Sequence, residues 1–190
     1  MNLLFRMIYV WVLSLFRKRL HLPNDASVIG LRVLPNDLDT NLHMNNGRYL
    51  TIMDLGRLDL ILRTGLLDMM IKGKAVPILS AATIRYRLPL DPFQHYKLHT
   101  KLIWWDDKWA YIEQRFIYAK GERAGAVAAI GLVKGNFYNK KRKEIVPIEN
   151  LLDAIDKNHG DRPEMPAHLK SWIEAEDQLR MATARNENTV

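Results

Sequence analysis

From residue 77 to about residue 139 the apolar side chains recur at every second position. In AATIRYRLPL, Ile84, Tyr86 and Leu88 face opposite Thr83, Arg85 and Arg87. In HYKLHTKLIW, Tyr96, Leu98, Leu102 and Trp104 alternate with His95, Lys97, His99 and Lys101. A sustained period of two with one dry and one wet face predicts an antiparallel sheet. Turns at Asp106–Asp107 and at Lys120–Gly121 lead into WAYIEQRFIY and AGAVAAIGLVKGNFY. The last of these strands is rich in Ala and Gly, so its faces are short and a bulky element can lie close on them.

Ahead of this sheet the pattern predicts one strand and one long helix. In VIGLRVL, Ile29, Leu31 and Val33 alternate with Gly30 and Arg32. The helix runs from about Asn46 to Thr64, with Tyr49, Leu50, Met53, Leu58, Ile61 and Leu62 on its apolar stripe and Leu55 and Leu60 widening it. Asn45 or Asn46 suits the N-cap, and Gly65 is a natural stop. Asp59 and Arg63 stand four apart, which predicts an ion pair on an exposed face. Gly56 costs the helix interior about 1 kcal/mol relative to Ala, so its presence predicts close approach to another element. The resulting order is strand, long helix, then four antiparallel strands.

At 190 residues and 48% apolar content the chain can bury one sizeable core. The expected organisation is an N-terminal apolar and basic helix (1–24), a main domain (25–139), and a basic segment with a C-terminal helical extension (140–190). No cysteine is present, which excludes disulfides, a cysteine nucleophile and thiolate metal sites. No acidic or histidine pair has metal-ligand spacing, so no metal is expected.

The formal charge of +7 is concentrated in Arg17–Arg19 and Lys140–Lys143. Without a zinc-finger, helix-turn-helix or aromatic-glycine RNA signature, these runs do not predict nucleic-acid binding. At the N-terminus, MNLLFRMIYVWVLSLFRKRL carries an apolar run from Leu3 to Phe16, interrupted by Arg6. That run is shorter than the roughly 20 residues that span a bilayer, and it lacks the charge order and cleavage site of a signal peptide. Two readings stand. One is a helix lying in a membrane interface through residues 1–20, its cations against anionic headgroups. The other is a helix docked on the protein's own surface or on a dimer partner. The chain is expected in the cytoplasm in either case.

Between the first strand and the helix lies VLPNDLDTNLHMNNGRYL, with two Asp, one His and four Asn. Its spacing of Asp37, Asp39, His43, Asn45, Asn46 and Tyr49 closely resembles the strand-to-helix turn of hotdog-fold acyl-CoA thioesterases, including the 4-hydroxybenzoyl-CoA thioesterase type. With RVLPNDLD, MDLGRLDL, RTGLL and WDDKW, the segment from Arg32 to about Tyr138 resembles the thioesterase-superfamily-member-6-like branch. The resemblance implies an α+β hotdog fold, in which a curled antiparallel sheet of about five strands wraps one central helix. It further implies a homodimer or dimer-based tetramer acting in lipid metabolism, without a cofactor, on a coenzyme A or acyl-carrier-protein thioester. Transposed onto this chain, Asp39 is the nucleophile or general base and His43 accompanies it. The backbone at Asn45, Asn46 and Gly47 cradles the oxyanion. Asp37, Tyr49, Met53, Arg85 and Arg87 are candidates for substrate contact. One departure is Leu42, where many members of the family carry Gly.

The chemistry agrees with that assignment. Thioester hydrolysis needs a nucleophile or base at the carbonyl and donors aimed at the oxygen that becomes negative. A helix N-terminus offers free N–H groups and a partial positive charge together. Each residue also has a plainer role: Asp39 can cap a turn through its own backbone, Asp37 can hold the turn, the Asn pair can cap the helix, and Tyr49 and Met53 can be core. Two other functions share these features. A hotdog enoyl-CoA hydratase or dehydratase uses an Asp and a His, but here D-T-N-L-H lacks the proline of that motif and sets the His one position closer. A non-catalytic, membrane-associated acyl-binding module is the third reading.

Overall fold

The long helix is positioned by its two ends and by one glycine between them. The computed structural model describes residues 2–187, with side chains for residues 3–183. Asn45 caps the helix α2 (Asn46–Thr64), its Oδ1 accepting the Gly47 N–H at 2.8 Å, and Gly65 ends it in the left-handed conformation with φ 89°. At Gly56 a Cβ would lie 2.2 Å from Thr100 Oγ1 and 2.9 Å from Gln114 Nε2. The missing side chain is what lets α2 settle onto the sheet, where Gln114 donates to the Met53 carbonyl at 2.9 Å.

The strands are β1 (Ser27–Arg32), β2 (Val76–Tyr86), β3 (His95–Trp105), β4 (Ala110–Tyr118), β5 (Val127–Asn139) and the short β6 (Glu144–Val146). They pair antiparallel in the order β1-β3-β4-β5-β2, with β6 added to β5. This sheet curls around α2, and Ile29, Leu31, Met53, Leu55, Leu98 and Phe116 fill the space between. The short faces of β5 do receive the helix: Met53 Cε lies 2.7 Å from where a Cβ of Gly131 would sit. The short helix α3 (Leu66–Ile71) leads from α2 to β2. After the sheet come α4 (Ile148–Ile155) and α5 (Ala167–Glu187). Leu169 of α5 packs with Tyr111 and Leu132, and Lys134 pairs with Glu176.

Three local expectations are corrected. Trp104 does not follow the buried face of β3. The register slips between Leu102 and Trp104, and Trp105 becomes the fully buried residue while Trp104 stacks beside Tyr111. A bulge adds one residue and so exchanges the two faces beyond it. Asp59 and Arg63 pair at 3.1 Å, but Asp59 is fully buried rather than on an open face, and it also accepts from Ser27 Oγ at 2.6 Å. The edge strand β2 does not show one dry face, since most of its residues are exposed. Pro77 lies in this strand, as an edge position allows.

The N-terminal helix α1 (Asn2–Ser14) docks on the protein's own surface. Val10 is fully buried in the main core, and Arg6 is buried against Asp37. The opposite side of α1 remains open, with Phe5 66% exposed beside Leu4, Ile8 and Trp11, and the turn after it carries the exposed Leu15 and Phe16, the latter 84% exposed. Among the described residues no helix is long and apolar enough to cross a membrane. Replacing Gly56 by Ala should lower stability by about 1–3 kcal/mol through overpacking. The melting midpoint followed by circular dichroism should fall by several degrees.

Candidate functional site

A single 3₁₀ turn, Pro35–Asp37, follows β1 and starts the polar segment. Asp37 is fully buried. Its carboxylate accepts from Arg6 Nη1 at 3.2 Å, from Arg48 Nε and Nη2 at 3.1 and 3.0 Å, and from the Leu34 N–H at 2.9 Å. Its carbonyl takes the N–H of the capping residue Asn45 at 2.8 Å. The carboxylate thus ties β1's end, α1 and the start of α2 into one unit.

The next residues form a closed loop. Leu38 bridges Met44, the Asp39 N–H donates to the His43 carbonyl at 2.9 Å, and the Leu42 N–H donates to the Asp39 carbonyl at 3.1 Å. Asp39 Oδ1 accepts the N–H groups of Asn41 at 2.8 Å and His43 at 3.3 Å. Oδ2 of Asp39 has no hydrogen-bond partner among the described residues. Leu42 adopts the left-handed region with φ 59°. The backbone shape that suits Gly is therefore kept here with a leucine, at a cost of about 1–2 kcal/mol. That strain is local to an exposed side chain.

Asp39 lines a cavity of about 300 Å³ together with Asn41, His43, Asn46, Tyr49, Tyr86 and Arg87. Met44, Leu88 and Pro89 supply its apolar lining. Tyr86 packs edge-on against Tyr49, centroids 5.1 Å apart, and its hydroxyl donates to the Asn46 carbonyl at 2.9 Å. Burial raises the phenols of Tyr49 and Tyr86 above the ordinary tyrosine value, so both keep their protons, and that of Tyr86 is given to the Asn46 carbonyl. His43 Nε2 lies 3.6 Å from an Asp91 carboxylate oxygen.

Asp39, His43, Asn46, Tyr49 and Arg87 thus share one cavity, and the remaining candidates from the sequence lie elsewhere. Asp37 has no exposed surface to offer a substrate. Met53 is fully buried in the core beneath β5. Asn45 and Gly47 lie outside the cavity lining, and the Gly47 N–H is already taken by the Asn45 cap. Arg85 and Arg87 do not both line the cavity. The N–H groups of Arg87 and Leu88 both donate to the Ala128 carbonyl, which breaks the alternation and leaves only Arg87 at the cavity.

Sequence reasoning missed Asn41, Tyr86, Asp91 and the Arg6 and Arg48 clasp. Of these only Arg6 left a signal, as the lone cation inside an apolar run. Among the described residues no group of three His, Cys, Asp or Glu could hold a metal ion.

An aspartate thus lines a cavity beside a helix N-terminus, on a curled sheet around one helix. Residues 33–173 match the thioesterase-like superfamily, and the chain belongs to that superfamily. It is 34% identical to Protein THEM6 of Drosophila melanogaster over 164 residues, 85% of this chain and 78% of that one. The fold is shared with a probable thioesterase, YbaW of Escherichia coli, at TM-score 0.61 and 21% identity, covering 67% of this chain and 94% of that one. It is also shared with Slr0204, a 1,4-dihydroxy-2-naphthoyl-CoA thioesterase from Synechocystis. That likeness has a TM-score of 0.59 at 12% identity over 72% of this chain and 100% of that one.

Proposed function

We propose that the protein hydrolyses an acyl-CoA thioester to the free acid and coenzyme A, with Asp39 acting at the thioester carbonyl. The observation that carries this reading is the division of one carboxylate: Oδ1 builds the turn, Oδ2 makes no hydrogen bond among the described residues, and the residue lines the cavity. Two routes are open to Oδ2. As a nucleophile it adds to the carbonyl and expels the coenzyme A thiolate, leaving a mixed anhydride that water cleaves. As a base it takes a proton from the attacking water. In either route negative charge grows on the carbonyl oxygen, next to the positive end of α2 and in the cavity that Tyr49 lines.

Arg87 is the cation placed to meet an anionic part of the substrate. The Lys140–Lys143 run lies at the far end of β5, about 40 Å along that strand at the usual rise per residue. It therefore does not share one substrate with Arg87 of the same protomer. A separate apolar cavity of about 320 Å³ lies between α2 and β2 toward the Val76 end of that strand, away from Asp39 of the same protomer, lined by Leu55, Leu58, Ile61, Pro77, Leu79 and Phe137 among others.

The open edge of β2 supports a homodimer. Ile78 and Leu79 are 47% and 54% exposed there, and an unpaired strand of eleven residues is a template for a second copy. Antiparallel pairing of two such edges would bring one copy's Val76 end beside the other's Arg87. The open side of α1, followed by the exposed Lys18 and Arg19, supports peripheral attachment to an anionic membrane.

Thiol release should be followed over aliphatic and aromatic acyl-CoA substrates and acyl-carrier-protein thioesters, with an enoyl-CoA tested for water addition. Wild type should turn over at least one thioester, and Asp39→Asn should lose about 100-fold or more in kcat, the scale of a general base or nucleophile. Equal rates would remove Asp39 from this role, and hydration without thiol release would favour the hydratase. In sedimentation, wild type should run as a dimer or larger and Leu79→Lys as a smaller species; an unchanged profile argues against the β2 interface. In flotation with anionic vesicles, wild type should rise with the lipid and a Phe5→Glu/Phe16→Glu variant should stay below. Equal flotation, or none by wild type, argues against attachment through α1.

A further inference from the structure

Arg6 is the one charged side chain within the apolar run of α1, and it is 7% exposed. It reaches across to the segment that carries Asp39. Nη1 and Nη2 grip the two oxygens of Asp37, and Nη2 also donates to the Arg32 carbonyl at 3.1 Å, at the end of β1. Arg48, from the first turns of α2, holds Asp37 from the other side. Asp37 in turn accepts the Asn45 N–H on its carbonyl and stands two residues before Asp39. The loop from Asp39 to His43 is closed by its own hydrogen bonds, so it moves as a unit on the support that Asp37 provides. The superfamily match begins at residue 33, which leaves α1 outside the matched segment.

We infer that Arg6 is a positioning residue for Asp39: a guanidinium delivered by α1 fixes Asp37, and Asp37 fixes where the free oxygen of Asp39 stands in the cavity. The kinetic part of this inference rests on the thioesterase reading; the geometric part does not. A misplacement of about 1 Å in a reacting group can cost about 100-fold in rate. Arg48 still holds Asp37 when Arg6 is removed, so the turn loosens rather than unfolds. The same helix arm supplies an internal control. Arg17 lies 3.6 Å from the buried Asp59 and donates to the Val28 carbonyl at 2.6 Å, while Arg63 pairs with Asp59 at 3.1 Å. This second clasp secures the other end of the arm to α2, remote from the cavity.

The test compares full-length wild type, Arg6→Met, Arg6→Lys and Arg17→Met. Amide hydrogen exchange of Asn41 and His43, whose N–H groups are held by Asp39 Oδ1, reports the turn directly. Thiol release from benzoyl-CoA and decanoyl-CoA reports kcat and KM. Arg6→Met should speed exchange at both amides about tenfold and lower kcat about tenfold or more, with KM within about twofold, as expected for lost orientation. Arg6→Lys should recover part of both effects. Arg17→Met should lower the melting midpoint to a similar degree while leaving turn exchange and kcat within about twofold of wild type, because it touches no part of the turn. Unchanged turn exchange in Arg6→Met, or the same acceleration in Arg17→Met, overturns the inference. If wild type releases no thiol from either substrate, the kinetic arm speaks to the thioesterase reading alone, and the exchange comparison still decides the role of Arg6.

Discussion

Two buried aspartates each hold two arginines, one from the N-terminal arm and one from the central helix. Asp37 joins Arg6 to Arg48, and Asp59 joins Arg17 to Arg63. Taking such charges out of water is expensive, and the cost is met only when the partners stay in place; losing one partner of a buried pair typically costs about 3–5 kcal/mol. The two clasps therefore fix α1 through Arg6 and the segment after it through Arg17, and make the arm part of the domain rather than an appendage. They are not equally complete. Both oxygens of Asp37 are hydrogen-bonded, whereas Asp59 Oδ1 and Arg17 Nη1 have no hydrogen-bond partner among the described residues. The better satisfied clasp is the one beneath the candidate site.

Position along the turn gives two aspartates opposite tasks. Asp37 ends a 3₁₀ turn and points inward, where its charge is used for architecture. Asp39, beyond one more residue of extended backbone, is half-buried, lines the cavity and gives its Oδ1 to the loop. The cavity closes around it through Tyr86, which ties the edge strand to the first carbonyl of α2. Sheet edge, helix start and polar turn meet at that point, and each needs the others to hold its shape.

Much of this was legible from local pattern. The bounds of α2, its Asn cap, its Gly stop and the close approach at Gly56 all follow from propensity and capping, which act within a turn of helix. The five main strands follow from period two. Alternation failed where one residue was inserted: the slip after Leu102 exchanges Trp104 for Trp105, and the shared Ala128 carbonyl separates Arg87 from Arg85. Neither insertion has a residue signature. The partners of Arg6 and Arg17 were hidden for a different reason, because contacts across 31 and 42 positions depend on how α1 lies on the finished domain. For the same reason the apolar run of α1 suited both a membrane face and a core face, and the folded helix has one docked face and one open face.

The central claim is that a thioester carbonyl meets the free oxygen of Asp39. The most direct measurement is a crystal structure with a non-hydrolysable acyl-CoA analogue in which a methylene replaces the thioester sulfur. The account predicts the carbonyl carbon about 3–3.5 Å from Asp39 Oδ2, the near-attack range, with the loop from Asp39 to His43 unchanged. An analogue bound with its carbonyl away from Asp39, against another carboxylate or in the apolar cavity beside β2, would contradict it.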